Sequence, residues 1–345
     1  MLKNFQSLRF FFSMTVFMAH FEYAGINGYS TGIGVIFFFL LSGFLMGRNH
    51  GHKICDGTFK FRTFFLRRLI KLYPIHLMCL VLFMISNIHF VSIKDWKIIA
   101  SNALLLQSWI PSTDYYFSCN SVSWSTSDMI FFIMAFPFLY KVIGKLNKHG
   151  ILIFTTILIS VYILYMLKIN CEDLNYWLYI FPPAQLVCFT LGLILWRSCT
   201  LWQELGKIEH HVSLTESLLL LAVIVSYATY PVDERWHVSF IHWLVLIPLI
   251  LFFREEGTEN RGGIISRVLH TRIMLWLGSM TLEIFMLHML TINAIIRISI
   301  IIGIEIPYPV MLILCIAVTI LLSYIVQTYY VRPITNKLLS FTSSK

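Results

Sequence analysis

Long apolar runs separated by short charged stretches dominate the chain, and within the runs apolar residues follow one another on every side. Such continuity lacks the two-residue alternation of a membrane barrel, whose strands take about ten residues each, and it predicts helices that are hydrophobic all round. Read in order, the runs predict spans at roughly 8–24, 31–47, 70–90, 122–140, 151–168, 176–196, 213–230, 238–253, 273–296 and 308–331. Most approach the ~17–25 residues that a helix rising ~1.5 Å per residue needs to cross ~30 Å of hydrocarbon. In that solvent every backbone amide must be bonded within its own segment, which favours helices again. The expected fold is all-α: a polytopic membrane protein formed by a single bundle of about ten transmembrane helices.

Composition agrees. With 58% apolar or aromatic residues, 12% charged residues and a mean hydropathy of +0.76, the 345 residues carry more apolar surface than one soluble core hides. A net charge of +9 raises nucleic acid as a partner, but the distribution of the charge argues against it. With the N-terminus placed in the cytoplasm, all 26 Lys and Arg residues except Lys94, Lys97, Lys168, Arg235 and Arg297 fall at the termini or in the even-numbered connections. This is the positive-inside pattern. One helix more or fewer would scramble it, so count and orientation support each other, and both termini are expected in the cytoplasm. The first run has no small-residue cleavage site and contains Arg9 and His20, so it reads as a retained helix and not as a signal peptide.

Of the seven cysteines, only Cys119 and Cys171 lie near the outer face, which makes them the one pair open to a disulfide. No Cys or His spacing suits a metal, and none is expected. No linker divides the chain, so residues 1–345 read as one domain. Its longest outer connection, 91–121, contains Trp96 and Trp109 and reads as an amphipathic segment at the membrane interface.

Ionisable side chains inside hydrocarbon are costly, so each needs a partner or a task. Arg9 and His20 are eleven residues apart, a separation of ~16 Å along a helix and about three full turns, which puts them on nearly one face. One reading is an arginine that holds an anionic donor and a histidine that acts as general base on a hydroxyl. The other is a snorkelling arginine and a histidine satisfied by a neighbouring helix. Glu22, two residues on, either orients the imidazole or is a solvated loop acid.

Arg68 and Lys71 stand one turn apart at the expected cytoplasmic start of the third span, where they suit either phosphates or lipid headgroups. The stretch Gly34 to Leu45 carries small residues at both ends, the usual mark of close helix contact. Asn120 to Asp128 is an unusually polar start to a span: Trp124, Ser125 and Asp128 read as a sugar-binding group or as a capped helix start. A triad of Ser125, His20 and Asp128 has the right residue types, but no sequence feature brings the three together. In the ninth span Glu283 lies mid-membrane, and His288 lies towards the same outer half as His20.

Taken together, these segments resemble the acyltransferase-3 family of membrane-bound bacterial O-acyltransferases. Arg9 to His20 is similar to the family's R-x10-H signature, Phe37 to Leu45 to its F-F-x-L-S-G-F-L segment, and Arg67 to Pro74 to its R-R-x-x-R-x-Y-P segment. Asn120 to Ser127 resembles its tryptophan-serine motif, and Gly278 to His288 its late G-x-x-S-Y and His motif. The resemblance implies transfer of an acyl group, most often acetyl, from cytoplasmic acetyl-CoA or another acyl-CoA to a carbohydrate or glycolipid outside the cytoplasm, such as a lipopolysaccharide O-antigen. It also implies a location in the bacterial inner membrane among its lipids. His20 takes the catalytic role and Arg9 with Arg68 the donor-binding roles, with Lys71 replacing an arginine and so losing the bidentate fork. Met129 stands in place of a glutamate, Gln185 in place of an arginine and Leu282 in place of a tyrosine, departures that bear on acceptor recognition. The rival readings are a transporter or flippase for a sugar-linked lipid, and a membrane scaffold without chemistry.

Overall fold

A computed structural model describes residues 2–21, 32–86, 95–203, 205, 211–228, 234–237, 240–254 and 262–343. Among them there is no strand. The principal helices are α1 (Lys3–His20), α2 (Gly32–Cys55), α3 (Phe61–Ser86), α4 (Trp124–Ile143), α5 (Lys148–Lys168), α6 (Pro182–Leu201), α7 (Val212–Ala228), α8 (Phe240–Phe253), α9 (Thr281–Ile302) and α10 (Tyr308–Val326). Seven stretches of the described residues are long and apolar enough to cross a membrane: α2, α3, Ser121–Ile143, α5, α6, α9 and Tyr308–Thr342. The remaining three predicted spans fall on α1, which carries Lys3 and Arg9, and on the shorter apolar helices α7 and α8.

Local chemistry explains where the helices begin and end. Asn147 caps α5, its side chain accepting from the amide of Gly150 at 2.8 Å. Gly303 ends α9 in the left-handed region at φ 72°, with its amide on the Ile300 carbonyl and the Ile304 amide on that of Ser299, the paired bonds of a Schellman stop. The predicted span 176–196 is divided at Phe181, because Pro182 and Pro183 have no amides to continue a helix and are suited to begin one. Before that break, Asn175–Ile180 forms a π-turn. The third span starts earlier than expected, at Phe61 and not near residue 70. Charges at Arg62, Arg67, Arg68 and Lys71 end the hydropathy signal, but Arg, Lys and Leu are good helix formers and the backbone continues through them. The ninth span likewise divides at Met280, between Arg272–Ser279 and α9.

The chain forms two compact units. The first comprises Met1–Val16, Gly28–Phe59 and Phe131–Ser279. Its centre is the crossing of α2 and α6, where a Cβ on Gly43 would stand 2.0 Å from the Phe189 carbonyl oxygen and one on Gly192 2.0 Å from that of Leu40. Only glycine admits so close a backbone approach, the contact that the small residues of this run predict. Aromatic rings fill the flanks: Phe12 stacks on Phe37 at 3.8 Å, and Phe44 meets Trp196 edge-on at 5.5 Å. Further along, buried Glu216 of α7 accepts bonds from the amides of Gly263 and Ile265 and from the hydroxyl of Ser266. It clasps the start of the short helix Ile264–Leu269.

The second unit comprises Phe17–Asn27, Lys60–Ile130 and Met280–Lys345. Here α9 packs on α10 and on α3, and the final helix Arg332–Ser343 packs on α3. A π-turn, Gln327–Val331, joins α10 to that final helix. The connection expected at an interface is more divided than predicted: Trp96 and Trp109 are exposed, while Gln107 and Ser108 are fully buried. Their amide and hydroxyl find inward partners, Gln107 donating to Ser123 at 3.1 Å and Ser108 to Ser127 at 2.7 Å. Cys119 in this region carries a free thiol, and the side chain of Cys171 lies outside the described residues.

Candidate active site

The second unit brings two predicted histidines together. His20 ends α1, half-buried, and His288 lies 1% exposed on α9. Nε2 of His288 is 3.4 Å from Nδ1 of His20, and the rings stand 5.2 Å apart at 54°. Nδ1 of His288 is 2.8 Å from the Phe285 carbonyl oxygen and 3.3 Å from that of Ile284. The rings of Phe17 and Phe285 lie 5.9 and 6.0 Å from the His288 ring. His288 thus meets the His20 ring on one side and two carbonyls of its own helix on the other. Glu22 lies outside the described residues.

The cations separate by unit. Arg9 lies half-buried on the first-unit part of α1, the helix that runs unbroken to His20. Arg68 and Lys71 stand on α3 in the second unit, Arg68 half-buried over the ring of Phe64 at 5.5 Å and Lys71 exposed. The carbonyl beside them, that of Ile70, accepts the hydroxyl of Thr335 at 3.4 Å, which brings the final helix to this part of α3. Buried Glu283 accepts from Gln327 Nε2 at 3.1 Å, and Gln327 Oε1 accepts from Arg332 at 2.8 Å. The amide is thus oriented by a carboxylate on one side and a guanidinium on the other. Gln327 and Arg332 were not among the predicted residues; a lone glutamine within an apolar run was the signal available.

The polar start of α4 turns inward. Trp124 is buried, and the Ser125 hydroxyl donates to the Val122 carbonyl at 2.9 Å. Asp128 is fully buried, its carboxyl beside Ser108. Asn120 makes no capping bond and donates to the Met286 carbonyl at 2.8 Å, while Thr126 donates to the Met286 sulfur at 3.7 Å. Met286 precedes His288 by two residues, a rotation of ~200° about α9. These groups therefore brace the side of α9 away from the imidazole pair. Gln185, in the first unit, donates to the Leu178 carbonyl at 2.7 Å and accepts from Cys188, so its neutral amide is used locally. Among the described residues no group of three His, Cys, Asp or Glu side chains converges as a metal site would require.

Comparison with known proteins identifies a family. A sequence model of the family described as "Acyltransferase domain" matches residues 2–328. The curated protein "Acyltransferase MdmB" of Streptomyces mycarofaciens is 34% identical over 122 residues, a stretch that covers 33% of this chain and 30% of that protein. No solved structure matches the chain.

Proposed function

Because the chain belongs to the acyltransferase-3 family, we propose that it is a membrane-embedded O-acyltransferase moving acetyl from cytoplasmic acetyl-CoA to a hydroxyl of a carbohydrate or glycolipid, such as a lipopolysaccharide O-antigen, outside the bacterial inner membrane. The observation that carries this reading is a half-buried imidazole, His20, at the end of an apolar helix and paired with a second imidazole. His20 takes the proton of the acceptor hydroxyl as its oxygen attacks the thioester carbonyl carbon. The carbonyl electron pair moves onto oxygen, then returns to expel the thiolate, which recovers the proton from His20 as free thiol. Arg68 and Lys71, both on α3, bind the donor phosphates, Arg68 with a planar fork and Lys71 as a point charge. Arg332, held by Gln327, is a further cation on the final helix. Glu22 orients the imidazole, and the acceptor lies against Glu283 and His288 on α9, with Trp124, Ser125 and Asp128 holding the start of α4 in place.

Purified protein in lipid nanodiscs, supplied with radiolabelled acetyl-CoA and a panel of bacterial glycans, should move label to glycan and release free CoA. Absence of both across the panel would favour transport of a sugar-linked lipid.

A further inference from the structure

Within the second unit, hydrocarbon accommodates only part of the helix pair formed by α3 and the end of the chain. Tyr308–Thr342 is one apolar stretch of 35 residues, ~52 Å of helix at ~1.5 Å per residue. Fitting that length into ~30 Å of hydrocarbon takes a tilt of ~55°, beyond the ~0–40° that membrane helices adopt. Residues 308–331 carry no charge and already supply ~36 Å, so the surplus is the final helix, Arg332–Ser343, with its cations Arg332 and Lys337. At 26 residues, ~39 Å, α3 has a smaller surplus, and its cations Arg62, Arg67, Arg68 and Lys71 all fall within 61–71.

The two charged ends lie together. The final helix packs on α3, and the Thr335 hydroxyl donates to the Ile70 carbonyl at 3.4 Å. Thr335, Leu339 and Thr342, at helical spacing, form the less exposed face of the final helix. Lys337, Leu338 and Phe341 are exposed, and the start of α3 likewise exposes Phe61 beside Arg62, and Arg67. Neither α3, α10 nor the final helix contains an aspartate or glutamate, so the exposed cations need an anion from elsewhere. A soluble anion would neutralise them but leave the exposed apolar side chains in water. A phospholipid carries phosphate and acyl chain in one molecule and meets both needs.

We propose that the paired ends of α3 and the final helix form a docking surface for anionic phospholipid. Arg62, Arg67 and Lys337 engage the lipid phosphates, while Phe61, Leu338 and Phe341 lie among the upper acyl carbons. Arg68 and Lys71 stay with the donor. The proposal stands whether or not the chain transfers an acyl group.

The test offers the full chain, in detergent, equal amounts of phosphatidylglycerol and phosphatidylcholine and counts the bound lipids by native mass spectrometry. The unaltered protein should prefer phosphatidylglycerol by at least about tenfold, since one basic side chain at an anionic surface is worth about fivefold. Combining Arg62→Gln, Arg67→Gln and Lys337→Gln should bring the preference to within about twofold of unity. Lys337→Gln alone should lower it by about fivefold, and decides the matter if the triple variant fails to fold. Removing three exposed cations of the first unit, by Lys53→Gln, Lys141→Gln and Lys145→Gln, should leave it unchanged. No preference in the unaltered protein overturns the proposal, as does a preference unmoved by Lys337→Gln. An equal loss in the two triple variants overturns it as well, because overall charge would then account for the effect. Release of bound phosphatidylglycerol by inorganic pyrophosphate would assign these cations to a soluble phosphate, and the lipid reading would fall.

Discussion

His20 is one of twelve histidines, and its spacing from Arg9 along the chain is enough to single it out. Its partner is not legible in that way, because 268 positions separate it from His288 and no local pattern records which helices meet. Replacing the base should be costly: His20→Gln is expected to reduce transfer from acetyl-CoA by about 10²- to 10⁴-fold, the usual worth of a general base, with donor affinity measured by calorimetry nearly unchanged. Cys119 offers a second check at this scale. Burial pushes its thiol up to about 11, so the reactive thiolate is scarce at neutral pH. Labelling of Cys119 by iodoacetamide, followed by peptide mass spectrometry, should rise roughly tenfold per pH unit and level off only near pH 11.

At the scale of the element, what the sequence reveals depends on whether the cause is local. The glycines of α2 announce a close crossing from their own spacing, and Gly43 meets the Phe189 carbonyl as expected. The clasp of Glu216 on Gly263 and Ser266 leaves no such mark, since a glutamate near a helix start has many uses. The early start of α3 escapes the hydropathy pattern for a different reason: hydropathy reports lipid, whereas helical propensity continues beyond it. Gly43→Ala and Gly192→Ala add a methyl to the same contact from opposite sides. Each should destabilise the protein by about 1–3 kcal/mol. The double variant should lose clearly less than the sum of the two, as thermal unfolding in detergent can measure, because the first substitution already forces the helices apart.

For the whole molecule, the all-helical character was legible from apolar run length alone, and seven apolar stretches of spanning length meet it. Which ends face the cytoplasm is a matter of loop charge. A fluorescent protein fused behind Lys345 should therefore fluoresce in bacteria, and alkaline phosphatase fused at the same place should be inactive. The reverse result would invert the assignment. The inward turn of Gln107 and Ser108 was not legible, because polar residues beside tryptophans read equally well as a wet surface, and only their partners on Ser123 and Ser127 distinguish the two.

The wide turn Gln327–Val331 sets the angular phase of everything after it. An α-helix advances ~100° with each residue. Deleting Tyr329 would let the spiral close regularly while swinging Arg332 away from Gln327 and Thr335 away from Ile70 in one movement. A surplus residue in that turn thus works as a rotational shim, aiming a guanidinium at the Gln327 amide while the tail keeps its seat on α3.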